Sequence, residues 1–476
     1  MNNYMFRAGR DPERGSVRGF RGATLLLAFG VALTGFARPL QGQSRETVPV
    51  SMSEAVAQAL EDNGTLRAAT ARSEGAQAEA DARGGFIVPQ IQATAGAIRT
   101  DDPVGVFGTK LRQGIFTEAD FALPSLNDPE AVADWTAGLS ARWEIGDWSR
   151  WQAREGGQAR SRAARAQLQR TREGTVFQTR ILYAQALQAQ EAEAALEAAL
   201  AAAEASRDRV TRRVAEGMGT DADRLQVEAA VQEIEARQAQ ARAMVIDTRE
   251  ALAVHLGWGP ELVPAPSESP EAVANRLAGE LGSAPASVGR ADLVAGQAAI
   301  EAAQAAESEI QARRLPRLEG YGMWSTHAPE LSGSWRSNYT LGLQLSIPLF
   351  TGFSLTNGAE AARAEARALE AEQTQRERAA ETELASAERA VVAAEASLES
   401  ARAAAGAAAE AARLVRLRYE EGMATVAELL QAQARSAALD QGVAEGRARL
   451  IIALAKLDFA RGDTDATSQL DLSLIH

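Results

Sequence analysis

Cysteine is absent from the 476-residue chain. Disulfide bonds, thiolate metal sites and the acylated cysteine of lipid-anchored exported proteins are therefore excluded. Aromatic residues make up only 5% of the sequence, and alanine supplies much of the hydrophobic fraction of 46%. Because alanine is the best helix former and allows helices to approach closely, this bias predicts long, tightly packed helices.

Long apolar runs are also missing. No stretch reaches the roughly 18 apolar residues that a membrane-spanning helix needs. The run at residues 23–36 is 14 residues long and follows a segment rich in arginine. A basic segment, a short apolar segment and small residues such as Ala37 and Gly42 are typical of a secretory signal peptide. We therefore predict a signal peptide at 1–42; the alternative is a membrane anchor, for which this run is short.

The charge is strongly acidic, with 63 Asp and Glu against 50 Lys and Arg, a net charge of −13. Residues 1–42 carry six arginines and two acidic residues, so their removal would take the net charge from −13 to −17. Such a chain is a poor candidate for binding nucleic acid through a basic surface. We predict no nucleic-acid partner.

Histidine is scarce as well. The three histidines, His255, His327 and His476, are not spaced as metal ligands. No nucleophile has a plausible general base, and the glycine pairs lack the rest of a phosphate-binding loop. The sequence predicts no metal site, no cofactor and no enzymatic activity.

Proline is absent from two long stretches, 130–259 and 349–476, although the chain has 15 prolines. An interior proline breaks a helix, so these stretches are free to form long helices. We predict long helices over roughly 153–215 and 358–420, each turning at a glycine into a shorter return helix. About 60 residues at ~1.5 Å each give a rod of about 90 Å, so an elongated molecule is expected.

The chain contains two copies of one unit. The segment around Leu66 and Pro89 recurs 227 residues later. The triplet Glu-Gly-Met at 216–218 recurs 205 residues later, at 421–423. The smaller second offset means that the first copy carries extra residues, and 101–135 has the composition of a long loop.

This duplication predicts the domain organisation. The tips of the two hairpins lie near 216–221 and 421–426. The predicted parts are a signal peptide at 1–42, a first repeat at 43–257, a Pro-rich linker at 258–289, a second repeat at 290–462 and a C-terminal tail at 463–476. The sequence does not fix the position at which the signal peptide is cleaved.

Each copy also has two segments in which apolar and polar residues alternate. The clearest are 134–146 and 337–350, and weaker partners lie at about 86–100 and 315–327. Segments of about ten residues with one apolar face match membrane-spanning strands. An ordinary half-buried sheet has the same period, but export and the lack of a membrane helix favour the membrane.

Four strands cannot close a barrel, and an open sheet edge is not tolerated in lipid. The smallest membrane barrels have about eight strands, so several copies of the chain must share one barrel. Two, three or four copies satisfy this requirement equally.

Residues 418–433, RYEEGMATVAELLQAQ, resemble the TolC-like outer-membrane efflux proteins. The similarity extends over essentially the whole mature chain, including Pro89, Pro316 and the Pro-Leu-Phe-Thr-Gly run at 348–352. It implies a mainly α protein with membrane β, in which a duplicated strand pair plus long helical hairpin forms a trimeric 12-strand β-barrel and a periplasmic α-barrel. The implied location is the outer membrane, in contact with its lipid, with a long extension into the periplasm.

The function implied by the resemblance is an outer-membrane channel subunit of a tripartite efflux or type I secretion system. Such a homotrimer is a passive exit duct for substrates delivered by an inner-membrane transporter, of the RND, ABC or MFS type, and a periplasmic adaptor. The alternative is a periplasmic coiled-coil adaptor, although adaptors usually have a single helical hairpin. The sequence does not encode the cargo, whether drugs, metal cations or polypeptide.

The resemblance also implies two sets of site residues at the hairpin tips. One set docks the adaptor: Gly217, Met218, Gly422 and Met423. The other set forms the periplasmic gate: Asp223, Gln226, Tyr419, Glu428 and Gln431. The competing interpretation is that the glycines only end helices and that the carboxylates are solvated surface charges.

The gate departs from the family pattern at two positions. Ala424 stands where some members have an arginine that locks the gate, and Gln431 stands where they have a second carboxylate. Asp223 therefore lacks that partner unless another arginine replaces it. The candidates are Arg213, Arg224 and Arg418; the alternative is a closed state that is held more loosely.

Overall fold

A computed structural model describes residues 46–283 and 289–462. The predicted signal peptide at 1–42, the tail at 463–476 with His476, and residues 284–288 of the linker lie outside the described residues. The strands are β1 (Glu46–Val50), β2 (Gln90–Thr100), β3 (Val132–Gly146), β4 (Leu262–Pro266), β5 (Arg317–Ala328) and β6 (Arg336–Ser346). The helices are α1 (Met52–Asp62), α2 (Gly64–Gly84), α3 (Pro103–Gln113), α4 (Leu123–Asn127), α5 (Trp148–Ala215), α6 (Asp221–His255), α7 (Pro270–Ser283), α8 (Ala291–Ala312), α9 (Ser354–Glu420) and α10 (Val426–Arg461).

Each repeat contains the predicted hairpin of a long helix and a shorter return helix. The long helices α5 and α9 have 68 and 67 residues, which is about 100 Å at ~1.5 Å per residue. Both begin a few residues earlier than predicted. In the first repeat the reason is Asp147, whose Oδ1 accepts a hydrogen bond from the Ser149 N–H at 2.9 Å and so caps the helix.

The two hairpins pack on each other through α5. This helix contacts α6 of its own repeat and also α8 and α10 of the second repeat. Many of its buried side chains are small, among them Ala184, Ala186 and Ala189. Small side chains allow close helix approach, so a chain poor in aromatic residues can still bury its long helices.

The Pro-rich linker at 258–289 contains regular structure. Its strand β4 pairs in parallel with β1, and α7 follows. Tyr183 of α5 is fully buried beneath this pair, and its hydroxyl donates to the Val50 carbonyl at 2.9 Å. The surrounding core contains Met52, Leu252, Leu256, Val273 and Ile451. The linker therefore anchors the N-terminal strand against the middle of the hairpins.

The four alternating segments form one antiparallel sheet in the order β2-β3-β5-β6. Two boundaries differ from the expected ones by four residues, and the others by no more than two. The first strand begins at Gln90 because residues 85–87 form a 3₁₀ turn. The last strand ends at Ser346, two residues before Pro348, whose nitrogen cannot donate to a strand partner.

One face of this sheet is apolar across all four strands. In a representative row, Ile91 pairs with Ala141, Ala141 with Gly322, and Gly322 with Leu341. Leu341 and the neighbouring Leu343 are 76% and 70% exposed. An exposed apolar surface of this extent requires a nonpolar environment or a partner.

The opposite face of the sheet is mostly polar. Arg142 and Glu319 form an ion pair there, with Nε and Oε1 2.7 Å apart. Near the β2–β3 connection, Asp134 and His327 contact each other on the same face, with Oδ2 and Nδ1 2.9 Å apart. The sheet thus separates an apolar side from a polar side, as a barrel wall in lipid does.

Residues 101–135, expected to be a long loop, contain helical structure, and the expectation is wrong in this respect. Asp102 caps α3 by accepting from the Gly105 N–H at 2.6 Å, and the helix ends at Gly114 with φ +67°. A 3₁₀ turn at Glu118–Phe121 and α4 follow. The Asp102-Pro103 pair at the start of α3 and Gly114 at its end are local sequence signals that account for this helix.

Candidate functional site

The two hairpin turns have the same backbone geometry. Gly217 adopts φ +76°, and its N–H donates to the Val214 carbonyl at 3.0 Å. The Met218 N–H donates to the Arg213 carbonyl at 2.8 Å. This pair of bonds is a Schellman motif, which needs a left-handed residue. The turn at Gly422 repeats it, with φ +76° and bonds of 3.0 and 2.7 Å.

Both turns present an open surface. Among the described residues, a Cβ at Gly217 would meet nothing within 4 Å, and one at Gly422 would meet only the Arg213 side chain, at 3.7 Å. The adjacent Met218 and Met423 are 59% and 58% exposed. A bare backbone beside flexible, polarizable methionines suits close approach of another helix.

The predicted gate carboxylates begin the return helices. Asp223 accepts from the Thr220 N–H at 3.0 Å and returns its own N–H to the Thr220 hydroxyl at 3.2 Å. Glu428 and Thr425 repeat this capping box, with distances of 2.7 and 3.2 Å. The Thr220 backbone bond lowers the pKa of Asp223, and the Thr425 backbone bond lowers the pKa of Glu428.

Both carboxylates therefore have a structural role in the single chain. Glu428 remains exposed and Asp223 partly exposed, so each also reaches solvent. Gln226 and Gln431 lie three residues further along and are exposed. The spacing Thr-x-x-Asp/Glu is a readable signature of a capping box, and sequence reasoning missed it.

Tyr419, predicted as a gate residue, is only 6% exposed. It lies in a small core that joins all four helices of the two hairpins. Burial raises the pKa of its hydroxyl. Within one chain this side chain therefore fills the tip rather than facing open space. Its neighbours in this core are Val210, Val227, Val426 and Leu429.

Arg213 connects the two turns. Its Nη1 donates to the Tyr419 carbonyl at 2.6 Å, and its guanidinium carbon lies 5.0 Å from the centroid of the Tyr419 ring. These contacts join the end of α5 to the end of α9. The sequence indicates Arg213 only as a substitute partner for Asp223, because it does not show that these helix ends meet.

Each of the three arginines considered for Asp223 has a different partner. Arg213 binds Tyr419 as described. Arg224 lies 3.5 Å from Asp221, and the Arg418 guanidinium donates to the Met423 carbonyl at 3.2 Å. The arginine–carboxylate lock of some family members is thus not rebuilt around Asp223 by these side chains.

Aromatic side chains are spread along the apolar face of the sheet. Trp135 and Trp143 lie eight residues apart on β3, about 26 Å at ~3.3 Å per residue. Trp324 and Tyr339 pair with each other level with Leu139, midway between the two. All four aromatic side chains are at least 36% exposed in the single chain.

No helix within 46–283 or 289–462 is both long and apolar enough to cross a membrane.

A sequence model of a family described as outer membrane efflux protein matches residues 55–258 and 285–463. The chain belongs to this family. Members of the outer membrane efflux protein family are channel proteins, so the chain is an outer-membrane efflux channel subunit and not an enzyme. The prediction of an outer-membrane protein with long helices extending into the periplasm is confirmed.

Solved outer-membrane channels share the fold of this outer membrane efflux protein. The channel OprN is 23% identical, with 87% of this chain and 90% of OprN covered and a TM-score of 0.70. VceC of Vibrio cholerae is 21% identical, with coverages of 86% and 96% and a TM-score of 0.69. CmeC of Campylobacter jejuni is 14% identical, with coverages of 89% and 90% and a TM-score of 0.73. No curated protein sequence matches the chain.

Proposed function

We propose that three copies of the chain close one twelve-strand β-barrel in the outer membrane, continued by an α-barrel in the periplasm. The four-stranded sheet carries the proposal, because its apolar face is exposed and, within the residues that the structure describes, its edge strands β2 and β6 each have one partner. Unpaired backbone groups are costly in lipid, so β2 of one copy pairs with β6 of the next. The count of three rests on family membership.

The assembled channel is a passive exit duct of a tripartite efflux or type I secretion system. Its adaptor docks at the glycine–methionine turns, Gly217 with Met218 and Gly422 with Met423. An inner-membrane transporter of the RND, ABC or MFS type supplies the energy. The open space beside Gly217 and the exposed methionines support docking at this tip.

The alternative, a soluble periplasmic adaptor, leaves the apolar face of the sheet unexplained. Fractionation and gel mobility distinguish the two. We expect the protein in the outer-membrane fraction, migrating as a trimer in an unheated gel and as a monomer after boiling, and conducting ions in a planar bilayer. A protein found wholly in the soluble periplasmic fraction would refute the channel assignment.

Three copies of Glu428 around the axis would form an acidic ring that favours cations. Replacing Glu428 with Gln removes the charge but keeps an oxygen for the capping box with Thr425. We expect the cation preference in a planar bilayer to fall in this variant. The matched control is Glu399→Gln, an exposed carboxylate far along α9 from the turn, which should leave the preference unchanged.

The same ring predicts a pH dependence. The pKa of Glu428 is lowered by its Thr425 hydrogen bonds, so the charged form is stabilised. Repulsion among the three carboxylates of the ring opposes this shift, so both the helix cap and the cation preference should persist at neutral pH and be lost as the pH falls through the usual carboxylate range of about 4. Equal ion selectivity in the wild type and in Glu428→Gln at pH 7 would show that Glu428 does not line the constriction.

A further inference from the structure

The inserted segment at 101–130 lies on the polar face of the sheet. Helix α3 contacts β3, β5 and β6, and its buried side chains, Val106, Thr109 and Gln113, recur on one side of the helix. The Gln113 amide donates to the Ala133 carbonyl at 2.8 Å and to Asp134 Oδ1 at 2.9 Å. Because Asp134 projects from the polar face, α3 lies on the side that becomes the channel interior.

The anchor of this segment is a buried polar network. Asp134, Gln113 and His327 are 1%, 2% and 6% exposed. Asp134 accepts from Gln113 through Oδ1, and its Oδ2 lies 2.9 Å from His327 Nδ1. Buried polar groups are costly when a partner is lost. The contact between α3 and the sheet is therefore specific.

Helix α3 crosses the width of the sheet. It starts three residues after β2, at one edge, and the position of a Cβ on Gly114 lies 3.1 Å from Nε of Arg336, the first residue of β6 at the other edge. Eleven residues at ~1.5 Å give about 16 Å. Four strands at ~4.8 Å spacing span about 14 Å. The helix thus lies across the end of the wall instead of extending away from it.

Residues 101–130 form a folded unit, and the side of this unit that faces away from the sheet is apolar. Three phenylalanines, Phe107, Phe116 and Phe121, pack edge to face, with centroids 4.9 to 6.4 Å apart. Several apolar side chains remain exposed in the single chain. These are Val104 at 80%, Leu123 at 72%, Leu111 at 51% and Ile115 at 43%.

We propose that residues 101–130 form an inward-folded collar, in which these apolar side chains meet their copies from the other two subunits and narrow the outer mouth of the channel. The occupant of the apolar surface is a second copy of this chain, because the segment begins directly after β2, the edge that the neighbouring subunit pairs. The proposal rests on the proposed trimeric barrel. An apolar constriction restricts water and ions by dewetting, so the collar is an outer barrier distinct from the periplasmic tip.

Cysteine substitution tests the collar, since the chain has no cysteine of its own. Val104, Leu111 and Leu123 are each replaced by Cys in the full-length chain, and Leu341→Cys on the apolar face of the barrel is the matched control. We expect oxidation to join subunits through at least one collar cysteine, and a charged methanethiosulfonate reagent to reduce the bilayer conductance. Neither effect should occur at Leu341→Cys. A normal trimer that shows no cross-link and no conductance loss at any collar position would overturn the collar.

Gln113→Ala gives a second measurement that does not depend on added thiols. It removes the bond to Asp134 on the barrel wall, so the collar should loosen and the conductance should rise while the unheated trimer band persists. Unchanged conductance in this variant would contradict the collar. Failure of the wild-type protein to form a heat-sensitive trimer or to conduct would refute the proposed barrel itself, and the collar with it.

Discussion

Gly217→Asn is expected to abolish efflux while the trimer still assembles, whereas Gly217→Ala should retain much of the efflux. A Cβ at this position meets open space, so neither substitution clashes within the chain. The asparagine side chain projects further into the space that an adaptor helix would occupy. Docking therefore predicts that the larger residue is the more damaging one.

A purely structural role for Gly217 predicts the opposite order. The residue adopts φ +76°, a conformation that asparagine visits more readily than alanine, for which the left-handed region costs roughly 1–2 kcal/mol. If the glycine only ends a helix, Asn is then the milder change. Dye accumulation in cells, with outer-membrane trimer content measured in parallel, decides between the two orders.

Gly352 provides the matched control for this comparison. Gly352 has φ +60°, and a Cβ added there would meet open space. It lies just before α9, next to the four-stranded sheet and not at a hairpin turn. Gly352→Asn should be tolerated at least as well as Gly352→Ala. If Gly217 behaves like Gly352, the docking role at the tip is contradicted.

The extended elements could be predicted from the sequence because their signals are local and repeated. Stretches without proline allow the long helices α5 and α9 to form. Apolar residues at every second position predict the strands of the four-stranded sheet. The internal repeat then shows that each motif is used twice. The turn glycines carry their own signal, since a left-handed helix end favours glycine.

The structural features that were not predicted from the sequence are of two kinds. The capping boxes of Thr220 with Asp223 and Thr425 with Glu428, and the Asp-Pro start of α3, have local signatures that can be read directly. The contact between Arg213 and Tyr419 joins residues 206 positions apart. The placement of Gln113 against Asp134 likewise depends on where a helix folds back. Tertiary contacts of this kind have no periodic signal in one sequence.

Arg213→Ala is expected to loosen the closed tip and raise the resting leak of the channel. The guanidinium donates to the Tyr419 carbonyl and lies over its ring, and we propose that opening of the tip separates the two helix ends that this contact joins. A charged hydrogen bond and a cation–π contact at a half-buried site contribute on the order of 2 kcal/mol together. Each 1.4 kcal/mol is tenfold in an equilibrium, so the ratio of open to closed tips should rise roughly thirtyfold for each subunit.

Arg212→Ala is the matched control, because Arg212 is adjacent, carries the same charge and is exposed. Arg213→Lys separates charge from geometry, since lysine keeps the charge but lacks the planar guanidinium that reaches both the carbonyl and the ring. We expect the open probability in planar bilayers to be highest in Arg213→Ala and lower in Arg213→Lys. It should be lowest in the wild type and in Arg212→Ala, which should be equal. A leak that rises equally in Arg212→Ala and Arg213→Ala would show that lost positive charge, and not the link between the turns, holds the tip closed.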